Sequence, residues 1–222
     1  MPPMNSYEAT LFETLQETSL IAVLMIEDAR DAIPVAEALL SGGVKAMELT
    51  LRTDAAWEAL QEIKRGVPEM IAGLGTILQP EQVTMAVAAG AAFGVAPGMN
   101  RRVVEAAIAV GLPFAPGICT PSDIETALEF DRTFLKFFPC EPSGGLKYLD
   151  AIAAPYAHLG LKYLPLGGVT EQNCAEYFKH PHVGAIGGSW LAPKNLIASK
   201  NWAAITENAR RAVDIKLAIR PV

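Results

Sequence analysis

The chain has 222 residues, of which 51% are hydrophobic and 19% are charged, so it has too much apolar surface for intrinsic disorder to be its main state. Eighteen lysines and arginines against 24 aspartates and glutamates give a net charge of −6, which excludes a broad basic field for nucleic acid or anionic lipid. The longest apolar run near the start, Leu20 to Ile26, is much shorter than the roughly 20 residues of a membrane span. We therefore expect a soluble, cytoplasmic protein whose partners include neither nucleic acid nor membrane.

The spacing of the cysteines indicates reduced thiols. Cys119, Cys140 and Cys174 are odd in number and tens of residues apart, so they form neither a disulfide framework nor a Cys-x-x-Cys pair. His180 and His182 have no third ligand at a suitable spacing, which argues against a zinc site. The sequence predicts no bound metal.

Short apolar runs alternate along the chain with segments whose apolar residues recur every three or four positions, which is typical of βα units. Before the first run, Tyr7, Leu11, Phe12 and Leu15 lie at helical spacing and predict an extra N-terminal helix. The eight runs that predict strands are Leu20–Ile26, Val44–Leu51, Met70–Leu74, Ala92–Ala96, Leu112–Ala115, Thr133–Phe138, Leu161–Leu166 and Val183–Ile186.

Several helices between these runs have clear start and stop signals. Pro34 interrupts the apolar pattern of the first crossover helix, which is therefore kinked or begins late. Asn100 is a candidate cap, and Thr120 to Asp123 reads as a capping box with proline at the first helical position. Gly90 and Gly111 are candidate C-terminal caps.

Eight strand–helix repeats without a linker predict one domain over residues 1–222, a (β/α)8 TIM barrel with an extra N-terminal helix that closes its bottom. A doubly wound open sheet is the alternative. Its first turn usually carries Gly-x-Gly-x-x-Gly, whereas here residues 26–29 read Ile-Glu-Asp-Ala.

Two predicted strands contain charged residues that a buried strand normally excludes. Lys136 lies among aromatic and aliphatic residues near the end of the sixth strand, and Glu48 and Arg52 lie near the end of the second. A desolvated lysine favours its neutral amine and can attack a ketone to form a Schiff base, with a carboxylate moving protons and no metal required as electron sink. One alternative is a structural ion pair between Lys136 and Glu48, and another is a surface ion pair between Glu48 and Arg52. Thr76, which follows the third strand, is alternatively only a helix cap or a turn residue.

Glycine pairs follow the seventh and eighth predicted strands, where barrels of this kind often bind phosphate. Gly167-Gly168 and Gly187-Gly188-Ser189 let backbone N–H groups approach phosphate oxygens, and we expect a helix to begin near Trp190. Plain tight turns are the alternative for either pair. The pattern predicts a small phosphorylated substrate.

Together these segments resemble the 2-keto-3-deoxy-6-phosphogluconate (KDPG) and 4-hydroxy-2-oxoglutarate (KHG) aldolases. The motifs that carry the resemblance are Glu48-Leu49-Thr50-Leu51-Arg52-Thr53, Gly73-x-Gly75-Thr76, Pro97-Gly98, Pro116-Gly117, Lys136-Phe137-Phe138-Pro139, Gly167-Gly168 and Gly187-Gly188-Ser189-Trp190. They extend from about Leu20 into the last helix.

The resemblance implies a class I aldolase, a lyase without cofactor or metal, that cleaves KDPG to pyruvate and glyceraldehyde 3-phosphate. Lys136 matches the family's Schiff-base lysine and Glu48 its proton-transfer carboxylate. Arg52 and Thr76 match positions that hold the substrate carboxylate, and Phe138 matches a residue that lines the pocket. The positions that match the phosphate site are Gly167, Gly168, Gly188 and Ser189. The resemblance also implies a homotrimer.

Three residues depart from the family pattern. Leu166 replaces a threonine before the glycine pair, which removes a hydroxyl near the reacting carbons. Leu74 replaces a commoner alanine, and we expect it to add bulk near the pyruvate end. Met25, at the end of the first strand, stands where galactonate-specific relatives carry arginine.

Other activities stay open. The nearest alternative is the same lysine chemistry on KHG or on the galactonate epimer of KDPG. A phosphosugar isomerase of the same fold, with Lys136 as an electrostatic group, is a second alternative, and a non-catalytic phosphate-binding barrel is a third.

Overall fold

The computed structural model describes residues 6–221. Strands and helices alternate along the chain. In order, the elements are α1 (Ser6–Thr18), β1 (Leu20–Leu24), α2 (Ala32–Ser41), β2 (Ala46–Thr50), α3 (Ala55–Gly66), β3 (Ile71–Gly75), α4 (Pro80–Ala89), β4 (Gly94–Val95), α5 (Arg101–Val110), β5 (Phe114–Ala115), β6 (Gly117–Ile118), α6 (Pro121–Leu128), β7 (Phe134–Phe137), α7 (Gly145–Ala153), β8 (Lys162–Pro165), α8 (Cys174–Lys179), β9 (Ile186–Gly188), α9 (Lys194–Ala198) and α10 (Trp202–Ile219). Across this part of the chain no helix combines the length and hydropathy needed to cross a bilayer.

The fold is α/β with parallel sheets. Six strands pair in the order β5-β4-β3-β2-β1-β9, and three pair in the order β6-β7-β8. All the paired strands run parallel, so their C-terminal ends lie on the same side. In this register Glu48 lies between Val23 and Gly73, and Lys136 lies between Gly117 and Leu164.

The two sheets meet at two places. Only Pro116 separates β5 from β6, and its carbonyl oxygen accepts a hydrogen bond from the Lys136 amide. A single parallel bridge joins Tyr163 to Val183, between β8 and the approach to β9. The sequence predicted a fifth strand that ends at Ala115, as β5 does, but it did not predict β6. Strand β6 follows directly after Pro116, because the proline interrupts the ladder without ending it.

The crossover helices begin and end where their caps predict. A short 3₁₀ turn precedes α2, so Pro34 falls in the first helical turn, where its missing N–H has no intrahelical partner to lose. This helix therefore begins late. Asn100 and Thr120 cap α5 and α6 as predicted, and Gly90 and Gly111 end their helices in the left-handed region.

Apolar residues of α1 pack on the strands at their N-terminal ends. Phe12 and Leu15 join a buried cluster with Phe93 and Phe134, and the Phe12 and Phe134 rings stack with centroids 4.7 Å apart. Helix α1 therefore fills the space between the strands at their N-terminal ends.

A buried ion pair ties α1 to the N-terminal ends of the strands. Glu8 Oε1 lies 2.5 Å from Arg132 Nη1, and both side chains are at most 5% exposed. The same oxygen accepts the amide of Phe114 at 3.3 Å, and Arg132 also donates to the carbonyl of Phe130. The buried Arg132 guanidinium therefore depends on Glu8 for its neutralisation.

We expect Glu8→Ala to lower the free energy of unfolding by about 3–5 kcal/mol, because it leaves the Arg132 guanidinium buried without its counter-charge. Urea denaturation of the variant and the wild type measures the difference. Glu17→Ala, at an exposed position of the same helix, is the matched control and should change stability by less than about 0.5 kcal/mol. Equal effects of the two substitutions would contradict this account of the pair.

Candidate active site

A cavity of about 270 Å³ lies at the C-terminal ends of the strands. It brings together residues that are up to 166 positions apart in the sequence, from Val23 to Ser189. All nine predicted site residues line it: Lys136, Glu48, Arg52, Thr76, Phe138, Gly167, Gly168, Gly188 and Ser189. The parallel strands thus place every one of these positions around one space.

Five lining residues were not among the nine predicted ones: Val23, Thr50, Pro97, Leu166 and Val169. Thr50 is two positions from Glu48 on β2, so the two-residue period of a strand could have identified it. Pro97 belongs to a motif of the family resemblance, and Leu166 is one of the departures from the family pattern. Val23 and Val169 carry no chemical signal in the sequence, and only the strand register and the loop paths bring them to the cavity.

The central contact is between Lys136 and Glu48. Lys136 Nζ lies 3.2 Å from Glu48 Oε1, and their side chains are 6% and 1% exposed. Glu48 Oε2 is buried and has no hydrogen-bond partner among residues 6–221. The Phe138 ring lies beside the amine, with its centroid 5.4 Å from Nζ. A buried amine therefore has a carboxylate within reach and an oxygen of that carboxylate free to accept a proton.

Glycine at position 75 makes room for this carboxylate. A Cβ atom on Gly75 would lie 1.7 Å from Glu48 Oε1, and one on Gly73 would lie 2.6 Å from the Phe93 ring. Leu74, between them, points to the other side of β3 and is fully buried in the apolar core. The expectation that Leu74 adds bulk near the pyruvate end is therefore wrong, because alternate residues of a strand face opposite sides.

Thr76 and Arg52 lie at the rim of the cavity. Thr76 has φ of 62°, an uncommon conformation for a β-branched residue. It does not cap α4, since Gln79 forms that capping box. Arg52 is exposed and forms no ion pair within the described chain, so the alternative of a Glu48–Arg52 surface pair does not hold. Its guanidinium remains available for an anion at the entrance.

The glycine loops have the backbone freedom that anion binding needs. Gly167 and Gly168 have φ of 91° and 97°, which other residues rarely adopt. Gly188 is buried beneath the Trp190 ring, and Ser189 is exposed beside it.

The helix expected near Trp190 begins instead at Lys194. Pro193 disfavours helical geometry at the residue before it, so residues 189–192 form turns. The phosphate site proposed from the sequence therefore consists of loop backbone and the Ser189 hydroxyl, without a helix start at Trp190.

The other departures from the family pattern have different locations. Leu166 lines the cavity, close to Val23 and Gly187, and forms an apolar wall. Met25 follows the last residue of β1 and lines a separate small cavity with Glu27 and Asp28. It therefore does not contact the Lys136–Glu48 cavity.

A larger open groove of about 500 Å³ lies at the opposite ends of the strands, near Lys162 and Arg220. Two of its cations bond to main-chain carbonyls. Lys162 Nζ donates to the carbonyl of Pro181. Arg220 donates to the carbonyls of Phe178, His180, Val183 and Gly184. The Arg220 contacts tie the end of the C-terminal helix to the chain before β9.

A parallel α/β fold with a buried amine, an adjacent carboxylate and an exposed arginine at one mouth has the groups that a Schiff-base lyase requires. The family model of KDPG and KHG aldolase matches residues 11–208. The chain therefore belongs to the KDPG and KHG aldolase family and is an aldolase, as the sequence motifs predicted.

Curated relatives agree with this membership. The chain is 41% identical to the 2-dehydro-3-deoxy-phosphogluconate aldolase of Treponema pallidum, over 93% of this chain and 97% of that protein. It is 36% identical to the KHG/KDPG aldolase of Escherichia coli K12, over 95% and 98% of the two chains.

A solved structure shows the same similarity. KDPG aldolase of Legionella pneumophila, determined with pyruvate captured as a covalent carbinolamine, superposes with a TM-score of 0.86 at 35% identity. The match covers 90% of this chain and 97% of that one.

We expect Gly75→Ala to lower kcat/KM for aldol cleavage about 100-fold, because the new methyl group displaces the Glu48 carboxylate and small misplacements of a reacting group are costly. Gly98→Ala is the matched control, since a Cβ there meets nothing within 4 Å. Steady-state kinetics and thermal unfolding of both variants make the comparison. Full activity of Gly75→Ala would show that the carboxylate position does not matter.

Proposed function

We propose that this protein is a class I aldolase that cleaves KDPG to pyruvate and glyceraldehyde 3-phosphate, with Lys136 as nucleophile and Glu48 as general acid and base. The observation that carries the proposal is the buried Lys136 amine 3.2 Å from Glu48, within a cavity open at the strand ends. The covalent pyruvate carbinolamine in the related Legionella pneumophila enzyme supports it.

In the proposed reaction, the Lys136 amine adds to the C2 ketone of the substrate to give a carbinolamine, which loses water to form an iminium ion. Glu48 removes the proton of the C4 hydroxyl through Oε2, which has no hydrogen-bond partner among residues 6–221. The C3–C4 bond then breaks, the aldehyde leaves, and the electron pair moves into the iminium to form an enamine. Protonation at C3 and hydrolysis release pyruvate and restore the amine.

The remaining lining residues suit the two ends of the substrate. Arg52 can hold the C1 carboxylate through two charge-assisted hydrogen bonds, with Thr76 beside it. Phe138 forms an apolar wall next to the amine. The proposed phosphate site is made by the backbone of Gly167, Gly168 and Gly188 and by the hydroxyl of Ser189. Neutral N–H donors can bind a dianion even though the chain has a net charge of −6.

The alternative substrates are KHG and the galactonate epimer of KDPG. The Treponema pallidum relative is named for 2-dehydro-3-deoxy-phosphogluconate, and the Escherichia coli protein is named for both KHG and KDPG. A phosphosugar isomerase would use Lys136 only as a charge, and a non-catalytic phosphate-binding protein would not need the amine at all. The buried, paired amine favours the aldolase over both.

We also propose that β1 to β9 form one closed (β/α)8 barrel within a single domain over residues 1–222. The continuity of β5 and β6 through Pro116 and the Tyr163–Val183 bridge support closure. A homotrimer and a cytoplasmic location follow from the family resemblance and from composition, and stay predictions.

Borohydride reduction in the presence of pyruvate should give a covalent adduct on Lys136, because the iminium intermediate is trapped as a stable secondary amine. Peptide mass spectrometry identifies the modified lysine. Lys136→Ala should abolish both the adduct and the cleavage while the protein still folds, whereas Lys45→Ala, at an exposed lysine just before β2, should change neither. A folded wild type that forms no adduct would favour the isomerase.

Cleavage assays with KDPG, its galactonate epimer and KHG should show a higher kcat/KM for KDPG than for KHG, because only the phosphorylated substrates engage the glycine loops. A coupled pyruvate assay measures all three. Equal kcat/KM for KHG and KDPG would argue against the phosphate site and leave the lysine chemistry intact. A higher kcat/KM for the galactonate epimer than for KDPG would identify that epimer as the preferred substrate.

A further inference from the structure

The Gly167–Gly168 loop is supported from outside the cavity by the turn that follows β7. Here the Cys140 amide donates to the carbonyl of Leu166 at 2.8 Å, and the Glu141 amide donates to the carbonyl of Gly167 at 2.9 Å. The pairing of β7 with β8 therefore continues past the strand ends into the glycine loop.

The side chain of Glu141 lies directly against this loop. A Cβ atom on Gly168 would lie 2.4 Å from Glu141 Cβ and 2.7 Å from its Cγ. Two glycines in the left-handed region have no side chains of their own to hold them, so their geometry must be imposed by what packs on them. Glu141 is the side chain that packs on Gly168, although it does not itself line the cavity.

Tyr177, on α8, holds Glu141 in this position. Its hydroxyl donates to Glu141 Oε1 and lies 3.1 Å from Cys140 Sγ. The Tyr177 side chain is 1% exposed and belongs to the apolar core, so its hydroxyl has a fixed location. Desolvation raises the pKa of this tyrosine, which keeps the hydroxyl protonated as a donor.

We propose that Tyr177 is a positioning residue that acts through Glu141 on the Gly167–Gly168 loop and thereby sets the affinity for the phosphate end of the substrate. The proposal rests on the proposed function, since it assumes that this loop binds phosphate. Tyr177 does not touch the substrate. Its hydrogen bond fixes the carboxylate side chain, and that side chain holds the glycine backbone with its N–H groups directed at the phosphate.

The test uses Tyr177→Phe and steady-state kinetics with KDPG and with KHG, which has no phosphate, together with inhibition by inorganic phosphate. We expect the KM for KDPG and the inhibition constant of phosphate to rise about fivefold, the size of one net hydrogen bond. The kcat for KDPG and both constants for KHG should stay unchanged. If Tyr177 had a merely structural role, the substitution would raise the KM for KDPG and the KM for KHG together.

Cys140→Ala is the matched control, because it removes the other group that the Tyr177 hydroxyl touches and leaves the bond to Glu141. It should keep the wild-type KM for KDPG. In a Glu141→Ala background, Tyr177→Phe should have no further effect, since the intermediary side chain is already gone.

Should Tyr177→Phe fail to fold, Glu141→Gln and Glu141→Ala make the same comparison. Glutamine keeps an acceptor for the tyrosine and should retain the wild-type KM, whereas alanine should raise it. An unchanged KM for KDPG in Tyr177→Phe, or an equal rise for KHG, would overturn the inference while the phosphate site stands. A wild type that neither prefers KDPG nor is inhibited by phosphate would overturn the phosphate site, and the role of Tyr177 with it.

Discussion

The ion pair between Lys136 and Glu48 is the interaction on which the site depends. Placing two charges at a buried position costs several kcal/mol per ion, and their attraction offsets this only if the geometry is good. Here the second carboxylate oxygen has no partner within the described chain, so the pair is not arranged for stability alone. The same constraint requires glycine at position 75, because a methyl group there would occupy the place of the carboxylate.

The two ends of the parallel sheets have different tasks. At the N-terminal end, α1 fills the interior with aromatic side chains, and the Glu8–Arg132 pair is fully neutralised by close partners. At the C-terminal end, Arg52 and Glu48 Oε2 keep unused bonding capacity. Stability and reactivity are thus separated along the strand axis, as in other enzymes whose chemistry lies at the carboxyl ends of parallel strands.

The glycine loops show how flexible backbone can belong to a defined site. Gly167 and Gly168 have the conformational freedom to present N–H groups to an anion, but this freedom must be restricted if the groups are to be preorganised. Contacts from Phe138 on one side and Glu141 on the other supply the restriction. Strand β7 and the turn that follows it therefore serve the site in two ways, because Lys136 lines the cavity and Glu141 packs behind the glycine loop.

The sequence by itself determined the strand–helix alternation, the caps of α5 and α6, the nine site positions and the family, because these depend on local periodicity and on residue types at fixed spacing. It left open whether the helix that contains Pro34 is kinked or begins late. Only the tertiary structure decided that this helix begins late, that Leu74 faces the core, that β6 follows β5 directly after Pro116, and that Tyr177 contacts Glu141 behind the glycine loop. These facts depend on strand register and on contacts between residues far apart in sequence, which no local pattern encodes.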